Sequence, residues 1–199
     1  MRPMNRRTLI ALGLSAAALP AVAQDQRTLT EVSKYLNQLR SVQGRFTQVN
    51  VTGSQIGGQY FMVRPGRIRF EYDGGDALVV ASGINIAVFD RQGNPPVQRY
   101  PLNQTPLRFL LQERIDLTQS NLARDTASAG GLTTVTLQDP RSPRDGSMAL
   151  VLRNSPPSLA EWTVTDRSGQ RTRVVLQTLE PASNLSPLLF NIEAEARNW

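Results

Sequence analysis

The chain has 199 residues, 40% of them hydrophobic, which suits one domain with a sizeable core. It contains no Cys and no His, and this excludes thiol nucleophiles, disulfides, imidazole bases and the usual zinc ligands. A formal charge of +6 points at first toward nucleic acid, but Lys34 is the only lysine and the arginines stand singly along the chain, without a basic run. Residues 1–23 read as a secretory signal peptide: Arg2, Arg6 and Arg7 form a basic start, Leu9–Leu19 an apolar stretch too short to span a membrane, and Ala21-Val22-Ala23 a cleavage site. Taking those three arginines from 22 leaves 19 basic against 16 acidic residues, a mature net charge of +3, and the case for nucleic acid falls away. Arg6-Arg7 leaves twin-arginine export open beside ordinary secretion. No cysteine follows to carry a lipid anchor, so residues 24–199 are expected as one soluble domain in the bacterial periplasm.

Thr28-Leu29-Thr30-Glu31 has the form of a capping box, and Leu29, Val32, Leu36 and Leu39 follow at helical spacing, predicting an amphipathic helix of roughly three turns. From Gly44 to Asp90 the period changes to two. Arg45–Val51, Ile56–Tyr72, Leu78–Ala81 and Ile84–Asp90 are separated by turn residues, and Val97–Tyr100 adds a short extended piece. Thr105-Pro106 predicts a second helix, with Thr at the N-cap, Pro at the first helical position, and Leu107, Leu110 and Leu111 on one face. A further short helix is expected over Asp116–Ala123. Strands resume over Thr133–Gln138, Met148–Arg153, Glu161–Thr165, Arg171–Thr178 and Leu188–Ile192. Short strands at this spacing, with no βαβ unit, predict an antiparallel sandwich or barrel.

Ile56–Tyr72 reads as a hairpin turning at Arg64-Pro65-Gly66, with Ile68, Phe70 and Tyr72 on one face of its second arm and Arg67, Arg69 and Glu71 on the other. Arg64 therefore stands at a strand end, either as ordinary surface or reaching over a rim. The two amphipathic segments fit a lid over one face of a curved sheet. Whether they enclose a cavity or simply complete a solid core is not decided by periodicity.

Five segments resemble the outer-membrane lipoprotein carrier protein family, LolA. In order they are Leu36–Gln48, Gly57–Tyr72, Val80–Asp90, Tyr100–Leu111 and Leu159–Leu176, and they run through nearly the whole mature chain. The resemblance implies a mainly β fold with an α lid: an incomplete, half-open antiparallel β-barrel of about eleven strands covered by two or three short helices. It implies a monomeric carrier that holds the acyl chains of lipoproteins in a hydrophobic cavity. Such a carrier receives them from an inner-membrane lipoprotein-releasing ABC transporter and passes them to an outer-membrane lipoprotein acceptor. In the family an arginine of the R-P turn bonds to carbonyls of the lid and holds it shut; Arg64 stands at that position. The end of the chain departs from the family pattern, because Leu189-Phe190-Asn191-Ile192 is not followed by the F-x-x-P-x-G ending.

On this basis the acyl cavity is expected to be lined by Phe46, Phe61, Phe70, Leu78, Val80 and Leu107 together with Leu110, Leu152, Trp162, Val164 and Leu176. Each placement depends on strand phase, since a slip of one residue turns every side chain to the other face. An empty 300 Å³ void would cost about 7 kcal/mol, so the unliganded protein is expected to close its lid and partly collapse. A half-barrel sensor or glycolipid-binding module is the alternative within the same fold. No cofactor, metal or nucleic acid is expected. Asp73, Asp76, Asp90 and Asp166 are the carboxylates to weigh for catalysis, but they stand at turns, where solvated Asp belongs, and no nucleophile–base set accompanies them.

Overall fold

The computed structural model describes residues 21–119 and 121–199, so most of the expected signal peptide lies outside the described residues. Helix α1 (Ala21–Gln38) is followed by strands β1 (Ser41–Val49), β2 (Gln55–Val63), β3 (Arg67–Tyr72), β4 (Ala77–Ser82), β5 (Asn85–Asp90) and β6 (Val97–Pro101). A connecting segment carrying the short helix α2 (Arg108–Leu111) leads to β7 (Ala123–Ala129), β8 (Leu132–Leu137), β9 (Ser147–Asn154), β10 (Pro157–Thr165) and β11 (Arg171–Leu176). A two-residue β12 (Glu180–Pro181) and the helix α3 (Ile192–Asn198) close the chain. Among the described residues no helix is long and apolar enough to cross a membrane.

The strands form one antiparallel sheet in the order β6-β5-β4-β3-β2-β1-β11-β10-β9-β8-β7, with β12 pairing beside the start of β1. Two meanders, β1–β6 and β7–β11, are thus joined at the centre by the β1–β11 pair, and β6 and β7 remain as unpaired edges. The sheet does not close, so the fold is a half-open barrel with helices laid on it. Because β6 and β7 are opposite edges, the connection between them must cross a face of the sheet. This crossing, carried among the described residues by 102–119, is the lid.

Beneath α1 and the lid lies the main core. Leu29, Val32 and Leu36 of α1 and Leu107, Leu110 and Leu111 of the lid pack on Phe46, Met62, Ile68, Phe70, Leu150 and Trp162. Phe46 faces Gly58 across the β1–β2 ladder, and it meets Phe70 and Tyr72 edge-on at 5.2 and 5.3 Å. Gly58 is required there: a Cβ would lie 2.6 Å from the Phe46 ring and 2.3 Å from the Glu71 carbonyl. A break in register between Leu159 and Glu161 frees the Leu159 amide, which donates to Tyr35 Oη of α1 at 2.8 Å.

The opposite face of β3–β5 carries a second, smaller core, in which Leu78, Val80, Ala87 and Phe89 are covered by Phe190 and Ile192. Here the expectation of a strand over Leu188–Ile192 is corrected. Ser186 Oγ accepts from Leu188 N ahead of Pro187, and Asn191 Oδ1 accepts from Ala194 N, so both halves of the apolar run are capped into helical turns.

Three other local expectations change. Helix α1 begins at Ala21, seven residues before Thr28, so Thr28 lies within it and does not form the capping box. Thr105 Oγ1 donates back to Leu102 O at 2.9 Å instead of capping, and the second helix shrinks to α2 after a short 3-10 turn. The helix expected over Asp116–Ala123 is a single turn in which Asp116 Oδ1 accepts from Thr118 N and Gln119 N. Asn121, at φ 50°, then swings the chain into the edge strand β7.

Candidate ligand cleft and lid

The lid is held from the β2–β3 turn. The Arg64 amide donates to Arg40 O and the Gly66 amide to Leu111 O, each at 2.8 Å, which fixes the turn between the end of α1 and the end of α2. Gly66 takes φ 72°, a conformation that a side chain would strain. The Arg64 side chain then spans both helix ends. It donates to the carbonyls of Leu36, Gln112 (3.0 Å) and Glu113 (3.2 Å) and to Asn37 Oδ1 (3.3 Å). Leu36 O lies in the last turn of α1, where it also accepts from Leu39 N at 3.2 Å, and Gln112 and Glu113 follow the end of α2, so a cation there complements the helix dipoles.

Arg64 is 5% exposed, and no carboxylate is among those side-chain acceptors. Burial, with the neighbouring Arg40 charge adding to it, pulls its pKa down to about 10. The guanidinium therefore remains charged at neutral pH and is stabilised by dipoles alone.

Asn37 and Ser33 extend the same seam. Asn37 exchanges two hydrogen bonds with the backbone of Ile115, at 2.7 and 3.0 Å, and Ser33 Oγ accepts from Leu117 N while donating to Leu29 O. Neither residue was singled out from the sequence. Their spacing of four, beside the Leu29–Leu36 stripe, is the signal that places both on the flank of α1 facing the lid.

At the other end of the lid the packing opens into an apolar cleft of about 280 Å³. Phe70, Val79, Ile86, Trp162, Val164 and Val174 form its walls, Thr105-Pro106-Leu107 its roof, and Gln48 and Thr172 its rim. Tyr72, whose hydroxyl donates to Gln48 Oε1 at 2.7 Å, is pushed up to about 12 by burial. A second hollow of about 490 Å³ shares Thr105, Pro106 and Val164 with the cleft and continues outward past Tyr100 and Arg167.

The eleven expected lining residues divide three ways. Phe70, Leu107, Trp162 and Val164 border the cleft. Phe46, Leu110, Leu152 and Leu176 are in the close-packed interior on the same face. Phe61, Leu78 and Val80 belong to the opposite face, against the C-terminal segment, so their assignment to the cavity is corrected. The reason is parity. In β4, Val79 and Ala81 face the lid while Leu78 and Val80 face α3, and with both faces apolar the alternation has no readable phase. Of the carboxylates weighed for catalysis, Asp90 and Asp166 are engaged in turns, Asp90 Oδ1 accepting from Gln92 N and Asp166 Oδ1 from Ser168 N and Gln170 N, while Asp73 pairs with Arg45 at 2.7 Å.

Fold and site together define a half-open barrel with a helical lid pinned over an apolar cleft. The chain belongs to the outer membrane lipoprotein carrier protein LolA family, whose model matches residues 37–193. It is 26% identical over 203 residues to the outer-membrane lipoprotein carrier protein of Alkalilimnicola ehrlichii, covering 93% of this chain and 88% of that one. With the protein of the same name from Methylococcus capsulatus it shares 25% identity over 176 residues, 84% of each chain. Among solved structures, a LolA superfamily protein from Nitrosomonas europaea superposes with a TM-score of 0.43 at 11% identity, over 83% of this chain and 98% of that one.

Proposed function

We propose that this protein is a periplasmic lipoprotein carrier that shelters acyl chains in the cleft under its lid, and that its work is binding and release without catalysis. The observation that carries the reading is the apolar cleft roofed by Thr105-Pro106-Leu107, in a chain of this family. Burying a sixteen-carbon chain is worth on the order of 12 kcal/mol gross. At about 280 Å³ the cleft falls just below the usual range of ligand pockets, which run from about 300 Å³ upward. A chain must therefore raise the lid to be fully covered. The bonds that resist this, from Arg64 to Leu36, Gln112 and Glu113, are worth about 1.5–3 kcal/mol each, so a bound acyl chain can reverse them.

In the full cycle the carrier takes lipoproteins from a releasing complex in the inner membrane and yields them to an acceptor at the outer membrane. Binding must be strong enough to keep the chains from water yet weaker than the acceptor's hold. The test is to purify the protein from the periplasm of its host, extract what it holds and determine the mass. Acylated lipoprotein amino termini are expected; a free glycolipid in their place would make the protein the related binding module instead.

A further inference from the structure

The lid is fastened at its other end by a separate set of groups. Arg108, the first residue of α2, reaches the loop joining β8 and β9. It pairs with Asp139 at 3.0 Å and with Asp145 at 3.5 Å. Asp145 is held in turn by Arg167 at 2.9 Å, and Arg167 also donates to Gln104 Oε1 at 3.2 Å. The aliphatic part of the cluster is closed by the Phe109 ring, which lies under the Arg108 guanidinium at 4.9 Å. The same loop runs close to the roof, since a Cβ added at Gly146 would lie 3.1 Å from Pro106 Cγ.

The two fastenings lie on opposite halves of the sheet. Arg64 belongs to the β2–β3 turn, whereas Asp139 and Asp145 belong to the β8–β9 loop beyond the central β1–β11 pair. The roof residues Thr105-Pro106-Leu107 lie immediately before Arg108, on the cleft side. Losing the Arg64 side chain therefore loosens the end of the lid at Gln112–Glu113, where Arg40 still donates to Glu113 O at 3.0 Å, but leaves the roof tied down. We propose that Arg108, with Asp139 and Asp145, is a second lid anchor that positions the roof and sets access to the cleft.

The two anchors differ in chemistry. Arg64 bonds to carbonyl and carboxamide oxygens, while Arg108, besides donating to Asn103 O within the lid, pairs with two carboxylates that are partly open to solvent. Salt weakens the second kind of contact much more than the first. Opening at the roof is thus salt-sensitive and opening at the Arg64 end is not.

This inference rests on the proposed role of the cleft only where acyl uptake is concerned, and the test separates the two. Amide hydrogen exchange of Phe109, Leu110 and Leu111, whose amides bond within the lid, is measured on the intact protein at low and high NaCl. In Arg108→Gln these amides exchange about three- to tenfold faster, as expected for a partly shielded ion pair, while amides of β1 keep their protection. Asp139→Asn/Asp145→Asn, which retains oxygen acceptors for the loop turns, gives the same increase, and the triple variant adds nothing further. High salt accelerates the wild type and leaves the variants unchanged. Lid exchange in both variant sets equal to wild type, or a change in Arg108→Gln that the Asp variants do not reproduce, overturns the anchor. Palmitate uptake by the same proteins is the second arm. Faster uptake in the variants supports control of the cleft, whereas a wild type that takes up none refutes the acyl reading and leaves the exchange result to decide the anchor.

Discussion

Arg64 Nε lies 3.0 Å from the carbonyl oxygen of Gln112, a residue 48 positions further along the chain, and the same guanidinium reaches the carbonyl of Leu36 in α1. One side chain thus ties the first helix to the lid. Arg64→Leu leaves the Gln112 carbonyl without this donor, while Leu36 O keeps Leu39 N and Asn37 Oδ1 keeps Ile115 N, and we expect it to lower stability by about 2 kcal/mol in chemical denaturation. Arg64→Lys rescues little, because a single ammonium cannot serve acceptors spread across two helix ends. In a transfer assay the Leu variant takes up cargo but releases it poorly to the acceptor; unimpaired transfer would remove Arg64 from the mechanism.

The charge on Arg64 sets the pH behaviour of the lid. Its folded pKa, about 10, lies below the ordinary arginine value because burial penalises the cation. For a base depressed in this way the unfolded state binds more protons between those two values, so the penalty is present in full below about pH 10 and relieved only as pH rises through it. Nothing changes in the neutral range. The chain has no His that would titrate there either. Lid opening, followed by hydrogen exchange corrected for intrinsic rates, is expected to be flat between about pH 6 and 8.5. A clear step in that window would show that a titrating group other than Arg64 controls the lid.

The contrast between β3 and β4 shows how far the sequence could be read. In Ile68, Phe70 and Tyr72 against Arg67, Arg69 and Glu71 one face is apolar and the other charged, and the lid-facing side follows directly. In Ala77–Ser82 both faces are apolar, because a second cover waits at the far end of the chain, and the local pattern holds no information about which cover each residue meets. Arg64 was legible by resemblance at one position. Its partners were not, since three of the four acceptors are backbone carbonyls and the fourth is Asn37 on a helix flank selected only by packing. The anchor at Arg108 joins residues 31 and 37 positions apart through a loop rich in Arg and Asp, where no spacing rule distinguishes partners from solvated neighbours.

The placement of Leu110 changes which variant tests the cleft. Leu110 is 1% exposed within the packed core and does not border the cleft. Leu110→Arg therefore buries an unpaired charge and is expected to unfold the protein, so its loss of acyl binding would say little about the cleft. Val164 is only partly buried and borders the cleft near its mouth. Val164→Phe fills part of that space at a cost of about 1–3 kcal/mol if the walls must shift. A folded Val164→Phe protein, checked by circular dichroism, is expected to bind palmitate at least tenfold more weakly, and unchanged affinity would move the acyl site elsewhere.

The C-terminal segment offers the last prediction. Arg69 is 8% exposed on the face away from the lid, where it bonds to Glu71 at 2.6 Å, Glu195 at 2.8 Å and the Leu189 carbonyl at 3.0 Å. Nearby, Arg67 lies over the Phe190 ring at 5.7 Å and Arg91 over the Trp199 ring at 4.5 Å. Arg69 is the most enclosed of these cations and the one that ties α3 to β3 by charge. Arg69→Met removes three hydrogen bonds from a buried guanidinium to two partly exposed carboxylates and the Leu189 carbonyl, and we expect a loss of about 1–2 kcal/mol. The loss should be local first. Trp199 packs on Phe89 at 5.4 Å, whereas Trp162 lies in the lid-side core, so the two tryptophans report different faces. In Arg69→Met with Trp162→Phe, Trp199 emission is expected to shift to the red at lower denaturant than the far-ultraviolet signal of the sheet. Arg99→Gln, which breaks the exposed pair with Glu193, should leave the two transitions coincident. Coincident transitions in the Arg69 variant would mean that α3 and the sheet unfold as one unit and that Arg69 does not hold the segment on its own.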